Sequence, residues 1–319
     1  SNGYNVANGA SCMDLPIAIA VGSIFKEDYY KYLFSLSFKT NWEKNKCTWY
    51  EERGEILSNM NYIFVKQTCG SWKEALAFIH QIIAAKGYVL MPVTYNALYY
   101  YLGPKSHMNH MILISGYDRE LDILLINDCN FVNHGLNIIN KEYTVYQVAM
   151  HTKSIEHVWN DSLAIMEPDL GEYCLYALQE AGTEHLDANS YTQKFFSAKL
   201  APNNSLNLYN QYKNAIENAY KIPKDLANDF IFDIRRSYIG WLHPFFDYFN
   251  LQERKDIKEN INKYANNLYE IRNSQITKVH IRMLRKSEIT REYIIALIKE
   301  SGSIENEIHH YLKAVYLSK

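Results

Sequence analysis

The chain has 319 residues, enough for one large domain or two of ordinary size. Hydrophobic residues make up 48% and charged ones 21%, the balance of a globular protein rather than a disordered or fibrous one. A net charge of −2 gives no electrostatic case for nucleic acid or an anionic membrane, and neither is expected as a partner. No apolar run reaches about 18 residues and the start lacks signal-peptide architecture, which predicts a cytoplasmic protein. Its five cysteines, Cys12, Cys47, Cys69, Cys129 and Cys174, contain no CxxC pair, which favours reduced thiols over a disulfide framework.

Residues 12 to 21 are apolar on nearly every side, the pattern of a buried helix, with Gly22 as its terminator. If Ser11 were the N-cap, Pro16 would forfeit the bond to the Cys12 carbonyl, so the regular helix is expected to begin nearer Asp14. Phe25, Tyr29, Tyr32, Leu33 and Leu36 predict a second helix over 23–38. Residues 40–70 show no clear period. Ser71-Trp-Lys-Glu74 is a capping box opening a helix with Ala75, Leu76, Phe78, Ile79, Ile82 and Ile83 inward, stopped at Gly87.

Tyr88 to Val93 reads as a buried strand and 94–106 as a Tyr-rich loop. Met111 to Ile114 and Ile123 to Ile126 then flank a polar segment centred on Arg119, which predicts a β-hairpin, and a further strand is expected over 138–148. Helices followed by mostly antiparallel strands indicate an α+β domain over 1–155. Residues 156–319 read as a mainly helical region, with a helix start at Asp187-Ala-Asn-Ser. Long apolar-periodic segments follow over 206–220, 223–249, 252–286 and 290–317.

The hairpin carries chemistry at its open end. Symmetric pairing about Arg119 would set His110 directly opposite Asp128, with Cβ atoms about 4.5–5.5 Å apart, so that a carboxylate orients an imidazole. Cys12, at or just before a helix N-terminus, sits in a field that favours the thiolate. Cys12, His110 and Asp128 would complete nucleophile, base and orienter, against the plainer reading of a structural cysteine and a surface ion pair. A metal site from His107, His110 and a cysteine is disfavoured, because residues three apart on a strand face opposite ways; no metal is expected. Cys129, adjacent to Asp128, would point away from His110.

These residues carry a resemblance. The cysteine at a buried helix, the capped helix ending in Gly87-Tyr-Val-Leu-Met-Pro, His110-Met-Ile-Leu-Ile-Ser-Gly116-Tyr-Asp and Ile126-Asn-Asp128 resemble the papain-like cysteine peptidase fold over about residues 4 to 150. The nearest variants are the bacteriocin (double-glycine) leader peptidases, the N-terminal domain of BtrH-type acyltransferases, and amide-forming cysteine-protease homologues of the CtaG type from closthioamide assembly. The resemblance implies Cys12 as nucleophile, His110 as general base and acid, and Asp128 as the residue orienting His110. The family's oxyanion-hole Gln has no counterpart before Cys12, and Asn8 or Asn5 would supply the amide instead.

The function so implied is acyl transfer from a carrier-protein thioester to an amine through an acyl-cysteine, forming an amide in natural-product biosynthesis. The partners would be an acyl or peptidyl carrier protein and an amine. No cofactor is expected beyond the carrier's own phosphopantetheine arm. A peptidase or amidase with the same triad, and a non-catalytic binding module that kept the fold, are the alternatives.

Overall fold

The computed structural model describes residues 13–38, 49–99, 109–131, 143–163, 174–182, 184–197, 252–271 and 291–317, with short pieces at 210, 213–214, 217–218 and 248–249. The chain is α+β and divides into two compact units, one of Ser1–Tyr32 with Arg53–His185, the other of Leu33–Glu52 with Leu186–Lys319. The sheet-bearing unit thus runs past residue 155, and residues 33–52 belong with the helical one.

In the first unit α1 (Leu15–Ile24) starts where Pro16 permits, with Asp14 at the N-cap position. Gly22 does not end it. The helix continues through this buried glycine to Ile24, and the chain turns extended only at Phe25. Every residue from Leu15 to Gly22 is buried, as an all-round apolar helix requires. Then follows α2 (Lys26–Phe38). Two elements occupy the stretch without a clear period: α3 (Trp49–Asn59), interrupted in pattern by Gly54, and β1 (Tyr62–Thr68).

The capping box forms with one shift, Glu74 reaching back to the residue before the N-cap. The N-cap Ser71 Oγ accepts from the Glu74 amide at 3.3 Å, Glu74 Oε2 accepts the Gly70 amide at 2.7 Å, and α4 (Trp72–Ala84) buries Ala75, Ile79 and Ile82. The left-handed residue ending it is Lys86, at φ 59, with the Gly87 amide donating to the Ile82 carbonyl.

Six strands form one sheet in the order β1-β6-β2-β3-β4-β5, every neighbouring pair antiparallel. They are β1, β2 (Tyr88–Thr94), β3 (Asn109–Asp118), β4 (Ile123–Phe131), β5 (Tyr143–His151) and β6 (Cys174–Glu180), with α5 (Thr152–Leu163) after β5. Alternation assigns the faces. Val89, Met91, Val93, Ile112, Ile114, Leu124 and Ile126 pack with Ile79 of α4 and with Ile155, Val158 and Trp159 of α5 in one core. The opposite face carries Tyr62, whose hydroxyl donates to the Val21 carbonyl of α1 at 3.4 Å. Sheet, α4 and α5 therefore make one layer pair, and α1 lies on the other side.

The helical unit contains α6 (Ala188–Ser197), α7 (Lys255–Glu270) and α8 (Arg291–Leu317). Asp187 starts α6 as read, its carboxylate accepting the Asn189 and Ser190 amides. Phe34 is surrounded by the rings of Phe195, Phe196, Tyr248 and Phe249. Several buried hydroxyls find partners within the unit. Thr192 Oγ1 and Tyr248 Oη lie 2.7 Å apart, Tyr248 also donates to the Ala188 carbonyl, and the Tyr316 hydroxyl donates to Gln252 Oε1.

Candidate functional site

His110 is the second residue of β3 and Asp128 the sixth of β4, and both are 0% exposed. His110 Nε2 and Asp128 Oδ1 lie 2.5 Å apart. A solvated surface pair would need exposed partners, so that plainer reading is excluded. A hydrogen bond this short and wholly enclosed by protein fixes both the tautomer axis and the plane of the ring.

The two residues meet diagonally rather than head-on. Leu113 faces Asn127 and Ile114 faces Ile126, so continuing the ladder sets Ile112, not His110, opposite Asp128. Two local features produce this displacement of two residues from the symmetric register. The hairpin closes with a four-residue loop, Asp118 pairing with Ile123, in which the Asp118 carboxylate accepts the Glu120 and Leu121 amides and Asp122 adopts φ 53. That loop alone would displace β4 by three residues. A bulge between Ile114 and Gly116 takes one back. Because side chains alternate with period two, the even net displacement keeps His110 and Asp128 on one face; an odd one would have turned Asp128 away.

The aromatic loop that begins at Tyr95, expected from the sequence either to cover the site or merely to pack, places one ring directly on the imidazole. Tyr95 stacks on His110 with ring centroids 4.3 Å apart and planes 25° apart. It sits in the 3₁₀ turn Tyr95–Ala97 that follows β2. The turn is held from α5, where Ser162 Oγ accepts the Thr94 amide at 3.0 Å and donates to the Val158 carbonyl at 2.6 Å. The Tyr-rich composition of residues 94–106 was the available signal, but only the fold shows which ring reaches the histidine.

Cys12, the oxyanion-hole candidates Asn8 and Asn5, and His107 lie outside the described residues. Cys129 follows Asp128 in β4 and pairs with Val145 of β5. Cys69 and Cys174 are buried, and burial pushes the Cys69 thiol up, which suits a structural role. Among the described residues no group of three or more His, Cys, Asp or Glu side chains is placed to hold a metal ion, and no helix is long and apolar enough to cross a membrane.

The start of α1 is pinned. Asp14 Oδ1 accepts from Arg53 Nε at 2.8 Å and from the Tyr32 hydroxyl at 3.1 Å, and Oδ2 accepts from Arg53 Nη2 at 3.0 Å. At the other end, Val21 is tied to Tyr62 at the foot of β1, and Tyr62 donates to Asp28 of α2 at 2.6 Å. That foot is the side of the sheet where the β3–β4 hairpin closes, since Tyr62 pairs with Glu180, Leu178 with Tyr88, and Val89 with Ile114. Seven residues of helix, about 10 Å, separate Asp14 from Val21, so the first turn of α1 lies away from the closed end. No family model matches the chain, and no curated protein matches it.

Proposed function

We propose that the chain is a cysteine-dependent acyltransferase of the papain-like kind, forming an amide from a carrier-protein thioester and an amine. The observation that supports this reading is the fully buried, hydrogen-bonded His110–Asp128 pair at the open end of the hairpin, shielded on one ring face by Tyr95. A histidine held this firmly is an oriented base, and the residue that reads as its nucleophile precedes α1.

The Cys12 thiolate attacks the carbonyl carbon of an acyl group carried on a phosphopantetheine arm. The oxyanion is held by the Cys12 backbone amide and by Asn8 or Asn5, the carrier C–S bond breaks, and His110 gives the leaving thiol its proton. An amine then attacks acyl-Cys12. His110 takes its proton, the enzyme C–S bond breaks, and the amide leaves with the thiolate regenerated. Asp128 keeps the ring in place throughout and compensates its charge while it carries the second proton.

The reading demands a specific geometry. His110 faces the α4–α5 side while α1 lies against the other face, so Cys12 must reach the imidazole over the open end of β3 and β4, beyond the first turn of α1. The burial that supports an ordered imidazole also serves to keep water from the acyl-enzyme.

The test is product partition: one acyl-thioester donor, with and without a panel of amines, analysed for amide and free acid. Amide in excess of acid is expected. Free acid alone at every amine concentration would make the protein a hydrolase, and no turnover of any thioester, peptide or amide would leave a binding module.

A further inference from the structure

Where β2 ends, the chain leaves extended backbone at Thr94 and makes a single 3₁₀ turn, Tyr95–Ala97, closed by the Leu98 amide on the Tyr95 carbonyl at 3.2 Å. The Thr94 side chain does not cap it. Both ends are fixed from α5 instead: the Thr94 amide donates to Ser162 Oγ at 3.0 Å, and Leu98 is buried in the core with Ile155, Val158 and Trp159 of that helix. Ser162 is itself fully buried and anchored on the Val158 carbonyl at 2.6 Å, so α5 brackets the turn. From this bracket Tyr95 lays its ring nearly parallel on the His110 imidazole, with centroids 4.3 Å and planes 25° apart. What it offers the histidine is a π face.

Burial by itself opposes a charged imidazole, and His110 is fully enclosed. On its face of the sheet β2 sets the apolar Val93 across from it, and the core beyond holds Met91, Ile112, Val158 and Trp159. Asp128, from β4, brings the negative charge, but through a bond to one atom, Nε2, about which the ring could still tilt. A stacked ring removes that tilt. Its quadrupole also attracts a cation lying over its face, and it adds no second carboxylate to compete for the proton. Stacking alone does not confer such a role: His80 lies on Tyr117 at 3.9 Å and 26°, yet its buried Nε2 has no hydrogen-bond partner among the described residues, and burial and the Arg119 charge push that imidazole down. We propose that Tyr95 is a positioning residue of the acyl-transfer site, its ring held on His110 by the α5 bracket so that the imidazole keeps one plane and is stabilised while it carries the second proton. This rests on the reading of His110 as the base.

The experiment is the titration of the His110 ring nitrogens by NMR in the ¹⁵N-labelled full chain, with the signals assigned from a His110→Gln spectrum and His80 as an internal reference. The wild type is compared with Tyr95→Leu, Tyr95→Phe, Ser162→Ala and Asp128→Asn, each checked for folding by circular dichroism. Tyr95→Leu keeps the site apolar but removes the π face, and should lower the His110 midpoint by about one pH unit. Tyr95→Phe keeps the face and should stay close to the wild type. Ser162→Ala, which touches neither ring in the stack, should lower the midpoint by less than Tyr95→Leu does. An unchanged midpoint in Tyr95→Leu, or a fall in Tyr95→Phe as large as in Tyr95→Leu, overturns the role of Tyr95, and an unchanged midpoint in Ser162→Ala overturns the bracket that holds it. A His110 that stays in one protonation state from pH 4 to pH 10, in the wild type and in Asp128→Asn alike, overturns the reading of it as the base. If Tyr95→Leu does not fold, Ser162→Ala and Tyr95→Phe decide, since the first must still lower the midpoint and the second must keep it.

Discussion

At the scale of single residues, the pair that matters is His110 with Asp128, and what distinguishes it is enclosure. Both residue types are common at strand ends on protein surfaces; here neither is exposed, the nitrogen–oxygen distance is 2.5 Å, and Tyr95 covers the ring. Replacing Asp128 by Asn preserves volume and one hydrogen bond but presents an amide where the ring needs an acceptor, favouring the wrong tautomer. Turnover in the Asp128→Asn variant should fall about 10³- to 10⁴-fold with the fold intact by circular dichroism; activity within tenfold of wild type would remove Asp128 from the mechanism. The residue types were legible in the sequence. The diagonal contact was not, because the loop length and the bulge after Ile114 each displace the ladder, and only their combination restores the shared face.

Individual elements show where periodicity is informative and where it fails. Helix α4 was legible because its capping box, its one apolar face and its terminal glycine agree. Helix α3 and strand β1 were not. In β1, apolar side chains occupy both faces, Tyr62 and Phe64 buried, Ile63 and Val65 exposed, so alternation of burial leaves no alternation of hydrophobicity. In α3, Gly54 sits mid-helix in a pattern of mixed charge. A Cβ at Gly54 would meet no atom within 4 Å, so the glycine serves no packing need. Gly54→Ala should therefore stabilise the protein by about 0.5–1 kcal/mol, read as a higher denaturant midpoint with unchanged slope. A lower midpoint would show that α3 is not a regular helix at this position.

The molecule as a whole joins a sheet-bearing unit to a helical one, and their boundaries do not follow the order of segments in the chain. Residues 33–52 group with the helical unit and β6 with the sheet, because β6 inserts between β1 and β2, an association that composition along the chain does not reveal. The helical unit has its own pH signature. His309, edge-on to Phe196, is lowered from 6.5 to about 4 by burial and by the nearby His310 and Lys313 charges. The unfolded chain binds this proton more readily than the folded one. The stability it confers is complete above pH 6.5 and is lost as the pH falls toward 4. Between pH 7 and pH 5 the urea midpoint of the wild type should drop further than that of His309→Gln; equal drops would contradict the burial of this imidazole.

The acyl-transfer account stands or falls on whether Cys12 becomes acylated. The most direct measurement is the intact mass of the full chain after incubation with acyl-loaded carrier protein, with peptide mapping of any adduct. One acyl group on Cys12, discharged as amide when an amine is added and absent in Cys12→Ala, is the expected result. An unmodified chain, or an adduct mapping to another residue while the loaded carrier turns over, would contradict it.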